Sequence, residues 1–255
     1  MKSMTLYVEK DTPIHKIDPI TKIFFAIIAS ILPYILPFHS VALIVMFISI
    51  TILVIGKVFR KIIPLIGLSM FLIISLVIIQ GLFRPDNVTP LFEIGPITFY
   101  KEGLSFGLLL MMRVVNLLCA FGVLILTTKP DEMIEALIKR GMSPKIGYVI
   151  GSVLQLIPQM SATIGTIKDA QRSRGLETEG SLFVRMKAFL PLIGPVIMNS
   201  LISTRERSIA LEVRGFNSKQ TKTFLHEARE FKYAKFIQAL LIIILLCAIL
   251  WRIIL

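Results

Sequence analysis

A chain of 255 residues that is 55% hydrophobic and 17% charged, with a mean hydropathy of +0.80, is too apolar for a soluble domain and reads as a multi-spanning membrane protein. Its net charge of +12 reads as the positive-inside bias of such a protein. It does not read as a nucleic-acid footprint, because no basic stripe interleaves with aromatics, and no nucleic-acid partner is expected.

The first 20 residues carry Lys2, Lys10 and Lys16 among three acids, with no apolar core and no small-residue cleavage site, so no secretory signal is expected. The apolar block Ile23 to Ile55 is interrupted by Pro37-Phe38-His39-Ser40, with Pro33 just before. A span needs about 20 residues, so this block predicts a tight hairpin of two short helices. Lys57, Arg60 and Lys61 follow, and Ile62 to Phe83 predicts a full span. Residues 84–103, with Pro85, Pro90, Gly95 and Pro96, predict a loop without positive excess. Leu104 to Thr128 predicts the next span and Tyr233 to Leu255 the last, with Trp251 and Arg252 near its far interface. Between them, Ile146 to Ile157 and Ala188 to Ser203 are apolar but short and are flanked or interrupted by Pro158, Pro191 and Pro195. They are expected to be amphipathic helices lying along the membrane, with a re-entrant pair as the alternative. The two cysteines, Cys119 and Cys247, fall in separate apolar runs and read as packing residues rather than a disulfide or metal pair.

The expected architecture is all-α, a polytopic membrane protein with about five transmembrane helices and long cytoplasmic helices. Residues 1–128 form four spans, residues 129–235 a basic cytoplasmic region, and residues 236–255 the last span. Basic charge places the N-terminus, the 57–61 turn and the 129–235 region inside, and leaves the C-terminus outside. The lipid bilayer itself is the first expected partner.

One pattern occurs twice. Ala170-Gln171-Arg172-Ser173-Arg174-Gly175 and Ala210-Leu211-Glu212-Val213-Arg214-Gly215 both read Ala-x-x-x-Arg-Gly. Each closes a helix-like run in the most basic stretch. Positions i and i+4 share a helix face, so a small Ala sits one turn before a forked, permanently charged Arg. Arg then Gly is also an ordinary helix C-terminus, but repetition of the same frame points to a part that docks into two similar sockets.

Arg113 stands in the middle of the fourth span, with Asn116 one turn on. A charge there costs about 2.5–3.5 kcal/mol on insertion scales, so it must face protein or water. It reads either as a substrate or coupling contact or as an anchor bonded to neighbouring helices. No Asp or Glu lies inside a predicted span, as an ion-coupled carrier would need. No phosphate-binding loop occurs, and His15, His39 and His226 form no metal pair. A catalytic constellation is not visible, and no cofactor or metal is expected on this chain.

Together these residues resemble the transmembrane T component of energy-coupling factor transporters, the CbiQ/EcfT family. His15-Lys16-Ile17-Asp18-Pro19-Ile20-Thr21-Lys22 looks like that family's His-x-Leu-Asp-Pro-Arg-x-Lys start to its first span, with Ile17 and Ile20 replacing the usual Leu and Arg. Arg113, Thr127-Thr128-Lys129-Pro130 and Ala136-Leu137 are similar to the family's run from its fourth span into the cytoplasm. The resemblance implies a non-catalytic coupling subunit in a prokaryotic plasma membrane. Two ATP-binding-cassette ATPases, which hold the ATP, would receive Arg174 and Arg214, with Ala170, Gly175, Ala210 and Gly215 shaping the contacts. Their motion would reorient a separate membrane S component that binds a vitamin, a vitamin precursor, or a cobalt or nickel ion. His15, Asp18, Pro19, Arg113 and Asn116 would be structural or coupling residues. A self-contained secondary transporter and an intramembrane enzyme are the alternatives.

Overall fold

The computed structural model describes residues 6–94, 97–175, 182–218 and 233–254. Residues 176–181 and 219–232, parts of the predicted cytoplasmic region, lie outside the described residues. The chain divides into two compact units. One contains residues 6–140 and 233–254, the other 141–175 and 182–218.

In the first unit, α1 (Pro19–Ile35) and α2 (His39–Ile55) form the predicted hairpin of two 17-residue helices. Pro19 sits in the first turn of α1, where its missing N–H costs nothing. Then come α3 (Phe59–Phe83), α4 (Lys101–Thr127), the ten-residue α5 (Pro130–Lys139) and α8 (Ala234–Ile254). Three of these, α3, α4 and α8, are long and apolar enough to cross a membrane, and α1 and α2 are shorter apolar helices. The unit is a multi-pass membrane bundle. Its large side chains point outward, as lipid-facing ones must: Leu68 is 77% exposed and Phe71 79%.

α4 is the central helix and packs on α1, α2 and α3. Its buried stripe runs Leu109, Arg113, Asn116, Ala120, Val123, Thr127, steps of three and four that keep one face inward. Toward the end of this stripe Cys119, Val123 and Leu126 pack with Ile14, Leu53, Val58 and Ile62. Cys119 therefore is a packing residue, whereas Cys247 is exposed on α8.

The α3–α4 pair is drawn close by glycine. A Cβ at Gly107 would lie 3.0 Å from Val77 Cα, and one at Gly103 would collide with the backbone oxygen of Gln80. Gly103→Val should force the two backbones apart and cost about 1–3 kcal/mol, read as a lowered detergent-unfolding midpoint. An unchanged midpoint would show that the helices are not in contact there.

The loop between α3 and α4 contains a feature absent from the sequence expectation. β1 (Pro90–Ile94) pairs antiparallel with β2 (Ile97–Tyr100), and Phe92 stacks on Phe99 with centroids 4.8 Å apart. Glu102 closes this hairpin onto α4 by accepting the hydroxyl of Thr89 and the backbone N–H groups of Val88 and Thr89.

In the second unit, α6 (Pro144–Ser173) and α7 (Leu182–Val213) are continuous helices of 30 and 32 residues. This corrects the two short segments expected at 146–157 and 188–203. Pro158, Pro191 and Pro195 lie inside these helices and do not break them. Neither helix qualifies as a span by length and composition. α5 belongs to the first unit, where it packs with α1.

Candidate functional site

Both Ala-x-x-x-Arg-Gly motifs end a long helix. Arg174 is the C-cap of α6, and Gly175 follows at φ +85°. Its N–H donates to Arg172 O at 2.9 Å. At the end of α7, Gly215 adopts φ +69° and donates to Glu212 O, while Phe216 N–H reaches back to Leu211 O at 3.0 Å. These are the two bonds of a Schellman cap, and glycine is the residue that enters that left-handed conformation without steric cost. The cap is therefore closed by backbone and glycine, and it leaves the Arg side chains unused. Ala170, Arg174, Ala210 and Arg214 are exposed. Neither guanidinium has a hydrogen-bond or ion-pair partner among the described residues.

The directions of the two helices follow from their contacts. The Tyr148 ring, near the start of α6, lies 5.2 Å from that of Phe216, just past the end of α7. Arg207 donates to Gln159. A cavity between the helices is walled by Leu156, Gln159 and Met160 of α6 and by Val196, Asn199 and Ser203 of α7. Later residues of α7 meet earlier residues of α6, so the pair is antiparallel. At ~1.5 Å per residue, Arg174 lies about 20 Å beyond the Gln159–Arg207 contact, and Arg214 about 10 Å beyond it the opposite way. One hairpin thus presents two like ends in opposite directions.

Arg113 and Asn116 lie in the other unit, where the partners of both are backbone carbonyls of α1. Pro33 has no N–H to give Ala29 O, and Asn116 Nδ2 donates to that oxygen at 2.7 Å. Pro33 O lies in the last turn, where the helix ends at Ile35 with an extended C-cap at Leu36, and Arg113 Nε donates to it at 3.0 Å. A proline and the helix end orphan two carbonyls four apart, and α4 supplies two donors three apart. Asn116 is completely buried, and its Oδ1 accepts the Ser49 hydroxyl of α2 at 2.9 Å. Asn116 therefore ties three helices together. No acid faces Arg113 among the described residues.

At the basic end of the bundle, α4 needs acceptors satisfied in the same way. α4 ends at Thr127 with an extended C-cap, so Leu126 O has no partner within the helix, and the N–H of Val8 donates to it at 3.1 Å. Lys22 Nζ donates to Thr127 O at 2.9 Å, a cation at a helix C-terminus. His15 holds the segment that carries Val8: its Nε2–H donates to Val8 O at 2.9 Å and its Nδ1 accepts the Thr12 hydroxyl at 2.7 Å. Asp18 makes no side-chain cap on α1. It lies 3.4 Å from Gln238 Nε2, which also donates to Thr21 at 2.8 Å. Gln238 Oε1 in turn accepts from Arg140 at 2.9 Å. Gln238 has no place in the sequence reading, and Lys22 enters it only as the last residue of the His15–Lys22 run. The signal was a lone amide in an apolar span and a lysine one turn into another.

Burial holds the His15 imidazole below its usual pKa, opposed by the hydrogen bond to the Val8 carbonyl and by Asp11 and assisted by the charges of Lys22 and Lys10. The neutral ring is the native form. As pH falls below about 6.5 the unfolded chain takes the proton first, so acidification should destabilise the protein. Melting measured in detergent at pH 7.5 and 5.5 should show this loss, and His15→Gln should remove part of it. An equal loss in the variant would assign the dependence to other groups.

The apolar bundle, with three helices long and apolar enough to cross a membrane, defines a multi-pass membrane protein. Residues 10–223 match the CbiQ family model, described as cobalt transport protein, and the chain belongs to that family. It is 30% identical to the energy-coupling factor transporter transmembrane protein EcfT of Heliobacterium modesticaldum, over 88% of each chain. It is also 30% identical to that of Clostridium kluyveri, over 97% of this chain and 96% of the relative. The corresponding protein of Streptococcus equi is 27% identical over 85% of this chain and 84% of its own. The chain is an energy-coupling factor transporter transmembrane component, a transport protein and not an enzyme.

Proposed function

We propose that α6 and α7 are the coupling helices of an ATP-driven importer. Arg174 docks on one ATP-binding-cassette ATPase and Arg214 on the other, as a homo- or heterodimer. ATP is bound by those partners, and this chain needs no cofactor. Their motion passes through the two helices to a substrate-binding S component in the same plasma membrane. The cargo class is a vitamin, a vitamin precursor or a transition-metal ion. The basic 129–235 region faces the cytoplasm, where the ATPases are.

The observation that carries this reading is the antiparallel crossing of two helices whose exposed Arg-Gly ends point away from each other. A guanidinium fork in an acidic groove transmits force through charge-assisted hydrogen bonds. Two such ends on one rigid hairpin suit two like sockets. The test is co-purification in mild detergent followed by reconstitution. ATP-dependent uptake should require this chain, both ATPases and an S component together. Solute uptake by this chain alone in vesicles would replace the reading with a self-contained carrier.

A further inference from the structure

The second unit is inserted in the sequence of the first. Among the described residues, the chain leaves the first unit after Arg140 and resumes in it at Tyr233, just ahead of α8. The exit is short. α5 closes at its C-cap Arg140, and α6 begins at Pro144. Between them Gly141 takes φ +110° with open space where a Cβ would stand, so glycine serves the turn there and not packing.

The return is held by little apolar packing. Among the described residues α8 packs on α1, and its buried residues are Gln238 and Ala248. An amide is therefore a main anchor of an apolar helix, one turn after its start. All of its hydrogen-bonding atoms are used. Gln238 Nε2 donates to Thr21 Oγ1 at 2.8 Å and to Asp18 Oδ2 at 3.4 Å, and its Oε1 accepts from Arg140 Nη2 at 2.9 Å. A guanidinium can only donate and a carboxylate can only accept, so the amide has one orientation. Holding α8 to α1 needs only the Thr21 and Asp18 side of this network. The Arg140 bond joins something else. Arg140 is exposed, and its guanidinium reaches in to a buried amide. It ties the last residue of the exit to the start of the return, and Thr21 and Asp18 fasten both to the first turn of α1.

We infer that the Arg140–Gln238 bond is a clasp that locks the exit and the return of the chain together on α1, so that ATP-driven motion of α6 and α7 is delivered to α1. The inference rests on the coupling role proposed above for those helices. A passage that yields absorbs motion. With the clasp closed, displacement arriving by either passage moves the first turn of α1, and α1 packs on the central helix α4. A charged donor makes this bond one of the stronger kind, and the run from Arg140 through the amide to Asp18 polarises it further. Gln238 and Arg140 are positioning residues for transport.

The test is hydrogen–deuterium exchange on the complex of this chain, both ATPases and an S component in nanodiscs, with and without ATP. In the wild type, ATP should change exchange in α6 and α7 and also in the first turn of α1. Arg140→Met leaves the Gln238 bonds to Thr21 and Asp18 in place. It should keep the response of α6 and α7 and shrink that of α1 by about tenfold. Arg140→Lys should restore most of the α1 response, because one N–H reaches Gln238 and an ammonium supplies it. Gln238→Leu should lose the α1 response as Arg140→Met does. Arg140 is exposed, so Arg140→Met decides the matter if Gln238→Leu does not fold. An undiminished α1 response in Arg140→Met overturns the clasp, as does an equal loss in Arg140→Lys. Loss of the response in α6, α7 and α1 alike would make Arg140 a structural residue and also overturn it. No ATP response in α6 and α7 of the wild type would overturn the coupling role itself, and the clasp with it.

Discussion

Replacing Arg174 and Arg214 together by Ala should abolish recovery of the two ATPases with this chain, while each single change leaves partial association. Truncating one partner of a desolvated charge pair typically costs about 2–5 kcal/mol, at least roughly thirtyfold in affinity for each socket. A singly changed chain still holds the second socket, so its loss is buffered by the tethered arrangement. The fold should not respond. Both side chains are exposed, and the helix ends are closed by the backbone bonds of Gly175, Gly215 and Phe216. Melting should therefore stay within about 0.5 kcal/mol of the wild type. Lys at either position should rescue poorly, because an ammonium keeps the charge but lacks the planar fork. Gly175→Ala and Gly215→Ala act differently. Their φ values of +85° and +69° strain any Cβ, which perturbs the helix end by about 1 kcal/mol and displaces the Arg without removing it. Undiminished recovery of both ATPases with the double Arg variant, together with normal uptake, would sink the docking role.

The apolar runs made the membrane unit legible almost element by element. The Pro37–Ser40 interruption lies at the observed α1–α2 bend, and the starts and ends of α3, α4 and α8 lie within a few residues of the predicted spans. Fraying and capping limit sharper agreement. The Arg-Gly motifs were legible as helix ends because glycine at the cap is a local signal. Proline misled the reading of 146–157 and 188–203. Pro158, Pro191 and Pro195 suggest the bounds of short segments, yet each removes only one backbone bond, and these long helices continue through them. The loop hairpin was missed although Gly95-Pro96 stands between two β-prone runs, because proline and glycine there were read only as loop residues. The partners of Arg113 and Asn116 were illegible for a different reason. They are carbonyls, which every residue carries, and only Pro33, inside α1, marks Ala29 O as left without its donor.

The missing N–H of Pro33 makes the role of Asn116 testable by restoring that donor in α1. Asn116→Leu should destabilise the bundle by about 1–2 kcal/mol. The change leaves Ala29 O buried without a donor, a loss of ~1–3 kcal/mol, moderated because side-chain bonds between membrane helices average only about 0.6 kcal/mol. Ser49 contributes little to the loss, since its hydroxyl can turn fully to Val45 O, already 3.0 Å away. In a Pro33→Ala background the new N–H can bond to Ala29 O within α1, and Asn116 becomes dispensable. Asn116→Leu should then cost a few tenths of a kcal/mol or less, a coupling of about 1 kcal/mol between two residues on different helices. Pro37→Ala is the control. It removes a proline that lies beyond the extended C-cap Leu36, outside α1, and it leaves Ala29 O untouched. Asn116→Leu should therefore cost as much with Pro37→Ala as in the wild type. Unfolding in detergent, followed by loss of helical signal, measures all six proteins. A cost for Asn116→Leu that is the same in the Pro33→Ala background as in the wild type would mean that Asn116 stabilises the bundle by packing and its contact with Ser49, and not by completing a helix that proline leaves open.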